Sequence, residues 1–386
     1  MSELSRRAQG IGESVTMAIT ARARELKDAG RAVIGFGAGE PDFPTPDHIV
    51  AAAAAASSES RAHHYSPAGG LPELKAAIAA AMSSHPALNE IVVTNGGKQA
   101  VYEACAVLLD PGHEVLLPAP YWVSYPEAVN LAGGVPVFVE PGVDLKVTVE
   151  ALEARRTDRT KLLIFSSPCN PSGVVYQPGE VAAIGKWAAE HGVWVLSDEI
   201  YEHLVYAGAE FASMPVVAPE VADRCVVVHG VSKTFAMTGW RVGWMLAPVE
   251  VAAAATALQS HLTSNVANVS QMAAVAALEG SLDSAHKMRE AFDQRRKQMV
   301  ALLQGTAGVS LIEPQGALYA FPDVSELMAK KSIGGSVELA ATLLDEIEIA
   351  AVPGDAFGVA GHLRFSFALS DEDLAEGLTR FQKWAG

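Results

Sequence analysis

The chain has 386 residues, half of them hydrophobic and 19% charged, with 28 Lys and Arg against 44 Asp and Glu for a net charge of −16. That is the composition of a compact globular protein long enough for two domains and not of a disordered one, and its charge repels nucleic-acid backbones and anionic membrane surfaces. Cys105, Cys169 and Cys225 are scattered without CxxC spacing, so neither a disulfide framework nor a cysteine zinc site is expected.

The opening MSELSRRAQGIGESVT holds no apolar core of signal-peptide length, and no run of about 18 apolar residues follows; a cytoplasmic location is expected. Residues 1–38 show no pattern that places them in a sheet and are assigned to the smaller of two domains. The alanine run at 51–56 reads as part of a helix. From about residue 90 to 247, short runs alternate with helical patterns: EIVVTNGG, HEVLLPAP, VPVFVE, KLLIFSSP, GVWVLSDE, RCVVVHG and RVGWMLA. Most are apolar throughout, as in strands covered on both faces. The intervening KQAVYEACAVLLD and QPGEVAAIGKWAAEHG have helical periodicity, the second closed by a glycine stop. This βαβ rhythm predicts an α/β fold with a mostly parallel seven-stranded sheet in a large domain, residues 39–284. Residues 285–386, with the long helix AHKMREAFDQRRKQMVALLQ, the runs VSLIEPQGALYAFP, AVPGDAFG and LRFSFA, and the last helix DEDLAEGLTRFQKW, read as a smaller α+β domain.

Open α/β sheets bind ligands at the carboxyl ends of their strands. At those ends, VVTNGGKQAVY leaves the backbone of Gly96 and Gly97 bare at a helix start, which suits an anion or simply a tight turn. FSSPCNPSG sets Asn170 in a proline-bracketed turn. VWVLSDEIY runs an apolar strand into Asp198, with Tyr201 three residues on; Asp198 is a buried carboxylate needing partners, or with Ser197 a helix cap. VHGVSKTFAMTGWRVGW carries Ser232, Lys233 and Arg241, and Lys233 is either a solvated lysine or an amine held for covalent chemistry. The set says more than its members. A phosphate cradle, a buried acid, a hydroxyl, a lysine and an arginine on successive strand ends match what pyridoxal 5'-phosphate requires.

The motifs AGEPDFPTP, YSPAGGLPEL, TNGGKQA, APYWVSYPE, NPSG, SDEIYEHL, SKTFAMTGWRVGW and LRFSFA run in one order from near residue 10 to near 370. On them the chain resembles the class I pyridoxal-phosphate-dependent aminotransferases of fold type I. It is most similar to the bacterial aspartate aminotransferase branch, which also holds prephenate aminotransferases. The resemblance implies transamination between L-aspartate and 2-oxoglutarate by a ping-pong Schiff-base route, with amino acids and 2-oxo acids as partners. It implies Lys233 as the covalent anchor and proton carrier, Asp198 facing the ring nitrogen, Tyr201 and Asn170 on the phenolic oxygen, and Trp122 stacked on the ring. Gly96, Gly97, Ser232 and Arg241 would hold the phosphate, with Tyr65 reaching that of a second subunit in a homodimer with shared sites. Arg364 and Gly39 would bind the substrate α-carboxylate, and Lys98 the distal one.

Gly12 and Glu13 in GIGESVT stand where many relatives carry a basic residue and a proline, which argues against prephenate; Ser14 and Thr16 remain as small polar contacts. Cys169 and the serine of NPSG touch none of the assigned chemistry. GFGAGEPDFP runs into Pro41, Pro44 and Pro46 instead of a helix and is no dinucleotide fingerprint, adjacent His63 and His64 lack metal-ligand spacing, and no GxxxxGK[ST] is present. Two other readings stay open: an aromatic or prephenate transaminase or a lyase of the same fold, and a non-catalytic cofactor-binding module. The latter lacks a basic N-terminal segment that would bind DNA.

Overall fold

Residues 4–5, 9–12, 15–206 and 208–386 are described, from a computed structural model. The seven sequence runs are the seven strands of the main sheet. These are β2 (Ile91–Thr94), β3 (Glu114–Pro118), β4 (Val135–Val139), β5 (Thr160–Ser166), β6 (Trp194–Asp198), β7 (Cys225–Gly230) and β8 (Gly243–Leu246), in the order β2-β8-β7-β6-β5-β3-β4. β8 is antiparallel to both neighbours and every other pairing is parallel. The architecture is α/β, and the central residues of the inner strands are apolar because each face of the sheet has its own cover. On one face Val92, Leu117, Ile164, Leu196 and Val228 pack against α4 (Gly97–Leu108), α5 (Ser124–Leu131) and α9 (Val249–Leu262). On the other, Val93, Leu163, Val195 and Val227 share a core with α2 (Asp47–Ala56), α3 (Pro72–Ala81), α6 (Val149–Arg155), α7 (Pro178–Glu190), α8 (Met214–Val217) and α10 (Asn268–Glu279). Burial of these apolar side chains, each worth about 1.5–3 kcal/mol, is the main term holding the sheet between its helices.

A separate core gathers Phe36, Met288, Phe292, Leu318, Tyr319, Leu339, Leu363, Phe365 and Phe381. Its frame is α11 (Asp283–Gln304), α14 (Asp371–Ala385) and the antiparallel strands β11 (Val352–Pro353), β12 (Leu363–Ser366) and β9 (Tyr319–Ala320). The early strand β1 (Ile34–Gly35) pairs in parallel with β10 (Ile349–Ala350), so the beginning of the chain is stitched to its last quarter. Beside this pair, α1 (Val15–Asp28) sets Ala23 and Leu26 against Val33 and Ala350. Two further helices, α12 (Ser325–Lys331) and α13 (Ser336–Ile347), fill the stretch between β9 and β10 that the sequence reading left unassigned. Among the described residues no helix is long and apolar enough to cross a membrane.

Candidate active site

Parallel strands deliver the loops at their carboxyl ends to one edge of the sheet. β3 leads to Trp122, β5 to Asn170, β6 ends on Asp198, and β7 leads to Ser232 and Lys233. β8 runs the other way, so Arg241, just before it, starts at that same edge. The register confirms this, with Gly243 opposite both Thr94 and Gly230.

Asp198 is buried, and burial raises its pKa above the ordinary carboxylate range. Against that act the Tyr125 hydroxyl, donating to Oδ2 at 2.7 Å, and the Ile200 N–H, donating to Oδ1 at 3.3 Å. The positive charges of His229 and Lys233 act in the same sense. His229 stacks on Trp244 with centroids 5.4 Å apart, and its Nδ1 accepts from the Gly230 N–H at 2.9 Å. Its Nε2 therefore carries the proton given toward Glu202 Oε2 at 2.6 Å. Burial favours neutral His229, but this bond with Glu202 raises its pKa on balance.

Lys233 Nζ donates to the Gly39 carbonyl and lies 5.8 Å from the centre of the Tyr201 ring. Burial lowers its pKa, which favours the neutral amine that nucleophilic and base chemistry need. The Tyr201 hydroxyl meets that of Tyr319 at 3.0 Å, and burial raises its pKa well above the ordinary tyrosine value. Tyr319 in turn lies under the buried guanidinium of Arg364, 4.4 Å from Cζ to ring centre, with Phe357 on another side at 5.0 Å. Arg364 Nη1 donates to Asn170 Oδ1 at 2.9 Å and Nη2 to the Gly37 carbonyl at 2.8 Å. Its Nε is buried with no hydrogen-bond partner, a donor aimed where an acceptor is missing. Asn170 spends its carbonyl oxygen on Arg364, which leaves its N–H donors for another acceptor.

At the helix α4 N-terminus, Gly96 has φ +76°, and an added Cβ would lie 2.6 Å from Arg241 Nη2. Bare backbone, the unbonded N–H groups of a first helical turn and a guanidinium thus meet at one point, a donor set suited to a phosphate. Arg241 itself is left-handed, φ 57°, ψ 50°, a conformation non-glycine residues rarely adopt. It is held by bonds from Nη1 to the Thr238 carbonyl and from Nη2 to that of Asn95. Gly97 opens the helix, and Ser232 is buried beside Lys233. Lys98 Nζ sits over the Trp122 ring, 5.0 Å from its centre, and its pKa is lowered by burial and by Arg241. Trp122 meets Tyr125 edge-on at 5.4 Å.

The residues expected at the site lie together at this edge, Ser232 by its place beside Lys233, except Tyr65. That side chain is 91% exposed, beside a cleft of about 550 Å³ whose walls include His64, Ser264, Asn265 and Asn268. Gly12 is exposed, Thr16 is half-buried, and Glu13 and Ser14 lie outside the described residues.

The family model "Aminotransferase class I and II" matches residues 31–381. The chain belongs to the class I and II aminotransferases. It is 58% identical to the aspartate aminotransferase of Streptomyces avermitilis, over 98% of this chain and 96% of that one. It is 44% identical to the aspartate/prephenate aminotransferase of Cereibacter sphaeroides, over 99% and 98%. It superposes on the structure of Thermus thermophilus aspartate aminotransferase with maleate at a TM-score of 0.93, 38% identity and coverage of 99% and 100%. The chain is therefore a transaminase of fold type I that depends on pyridoxal 5'-phosphate. The residues present fit that cofactor: a cradle at Gly96 that a Cβ would fill, a buried carboxylate, and a lysine whose pKa burial lowers.

Three residues at this site escaped the sequence reading. Tyr125 reads as a helix core aromatic in SYPEAVNLAG, and Tyr319 and Phe357 lie in the two large cores, where no strand-end argument applies.

Proposed function

We propose that the chain transfers the amino group of L-aspartate to 2-oxoglutarate, giving oxaloacetate and L-glutamate by a ping-pong route. The observation that carries the substrate choice is Lys98, a cation on the face of Trp122, in addition to the Arg364 guanidinium. Two separate cations suit a substrate with two carboxylates, and a leucine-type substrate has no use for the second. The names of the relatives and the maleate in the Thermus structure support the same reading.

Bound pyridoxal 5'-phosphate supplies a carbon that captures amines and a ring that accepts the electron pair left when a Cα–H bond breaks. Lys233 would anchor it covalently and, once displaced, would take the Cα proton as a neutral amine and return it on the far side of the substrate nitrogen. Asp198 faces the ring nitrogen as an ionised carboxylate. Tyr201 and the free N–H of Asn170 donate to the phenolic oxygen, and Trp122 covers the ring. Gly96, Gly97, Ser232 and Arg241 hold the phosphate. Arg364 orients the α-carboxylate with two donors, its Nε included, helped by the Gly39 N–H. Tyr65 completes the phosphate site of a second copy in a cytoplasmic homodimer. Residues 39–284 form the large domain, and 1–38 with 285–386 the small one.

The test compares L-aspartate, L-phenylalanine and L-leucine as donors, following the half-reaction by the absorbance of the bound cofactor. Lys98→Met is expected to lower kcat/KM for aspartate on the order of 10- to 100-fold while leaving phenylalanine nearly unchanged. A wild-type preference for the aromatic donor, or an equal loss for both donors, refutes the dicarboxylate reading.

A further inference from the structure

Asp198 takes its direct hydrogen bonds from neutral groups, the Tyr125 hydroxyl at 2.7 Å and the more distant Ile200 N–H at 3.3 Å. Tyr125 is 3% exposed on the first turn of α5 and fixed edge-on to Trp122. We propose that Tyr125 is a positioning residue that keeps Asp198 ionised and thereby keeps the proton on the ring nitrogen of bound cofactor. The inference rests on the placement of Asp198 at that nitrogen proposed above.

Few of the groups that face the carboxyl can hold it ionised. Burial pushes Asp198 toward the neutral acid, which is no counter-ion for a pyridinium. From β7, His229 is paired with Glu202 at 2.6 Å, so its positive charge is largely cancelled at a distance. From the following loop, Lys233 is neutral whenever it serves as base, so its charge is not constant. The neighbouring acid Glu199 is pushed up to about 7 by burial and adds no positive charge, Tyr201 is held neutral, and burial pushes Cys169 beyond the β5 end up to about 11. Tyr125 alone of these gives an O–H···O⁻ bond that is independent of the state of Lys233, and charge-assisted bonds of this length are the strong ones. Its own pKa is raised well above the ordinary value by burial and by Asp198, so the hydroxyl keeps its proton to donate.

The experiment labels aspartate at Cγ with ¹³C in the cofactor-loaded full-length protein and titrates the Asp198 resonance, assigned by its loss in Asp198→Asn. Tyr125→Phe keeps the ring packed on Trp122 and is expected to raise the acid-side midpoint of Asp198 by about one pH unit, tenfold in proton affinity. Replacing Tyr125 by 3-fluorotyrosine, a stronger donor whose fluorine finds room in a cavity of about 20 Å³ bordering Tyr125, Ser166 and Cys169, is expected to lower it. A midpoint that stays put, or moves in the opposite sense, overturns the proposal. If Tyr125→Phe does not fold, the sign of the fluorotyrosine shift decides alone. ¹⁵N-labelled cofactor in the same samples reads the ring nitrogen. A neutral-pyridine signal already in the wild type overturns the placement of Asp198 itself, whereas a pyridinium signal in the wild type with an unmoved Asp198 midpoint overturns only the role of Tyr125.

Discussion

Replacing Gly243 by alanine puts a methyl group where the first residue of β8 passes the phosphate cradle. The new Cβ would stand 2.5 Å from Gly97 N, 2.6 Å from Gly96 C and 2.9 Å from Gly96 Cα. All three are backbone atoms, so no side chain can turn away. Relief to an ordinary contact requires β8 and the Gly96–Gly97 turn to part by roughly 1 Å, which also strains the pairing of Gly243 with Thr94 and Gly230. Overpacking costs about 1–3 kcal/mol where neighbours can adjust, and rigid backbone neighbours place this case at about 3 kcal/mol or above. The displaced first-turn N–H groups are those assigned to the phosphate, so cofactor affinity is expected to fall on the order of tenfold or more. The assay pairs urea unfolding of the cofactor-free chain with titration of the cofactor. Gly239→Ala is the control, because its added Cβ meets nothing within 4 Å. If Gly243→Ala stays within about 0.5 kcal/mol of wild type and binds cofactor with unchanged affinity, the cradle has been misread.

Glu199 is pushed up to about 7 by burial, although the Met214 N–H and Ser197 hydroxyl bond its Oε1. The folded state then holds more protons than the unfolded one between pH 4.5 and about 7, so stability falls as pH rises through that window, by about 3 kcal/mol for this group. Glu199→Gln keeps the acceptor and is expected to be more stable than wild type at pH 8 and no different at pH 4. Glu103, also pushed up to about 7, remains in the variant, so unfolding measured across pH should show a reduced slope and not a flat line. Arg364→Lys loses the planar fork that both bonds Asn170 and Gly37 and keeps Nε free to donate, and is expected to raise KM for the amino donor on the order of 10- to 100-fold. Steady-state kinetics check this, and an unchanged KM with a lowered kcat counts against the carboxylate role.

Most of the seven strands were legible because helices cover both faces of the sheet interior, so their central residues had to be apolar; the edge strand β4 is only partly buried. Lys233, Asp198 and Asn170 were legible for a related reason: a polar residue directly after such a run stands at the sheet edge where ligands bind. Tyr125 shows the limit of that logic. It sits inside an apolar helix pattern with Ala128 and Val129, and only its hydroxyl, meeting Asp198 from 73 residues away, separates it from core. Tyr319 depends on longer connections still, since the pairing of β9 with β12 brings it to Arg364 and Tyr201. The β1–β10 pair spans two residues on each side, too few for any period to register.

This difference in legibility follows a division of labour within the site. Lys233, Asp198, Asn170, Gly96 and Arg241 all come from the sheet edge, and they are the groups assigned to the cofactor. Arg364 and Tyr319 come from the strands of the second core, and Gly39 from the segment just after β1; of these, Arg364 and Gly39 are the groups assigned to the substrate carboxylate. Among the described residues the bonds that join the two sets are few: Lys233 to the Gly39 carbonyl, Arg364 to Asn170, and the Tyr201 hydroxyl, also assigned to the cofactor, to that of Tyr319. Substitutions in the second core should therefore change substrate recognition while leaving cofactor affinity nearly intact, and substitutions at the sheet edge should do the reverse. The two classes of variant are separable because a cofactor titration reads one set and KM for the amino donor reads the other.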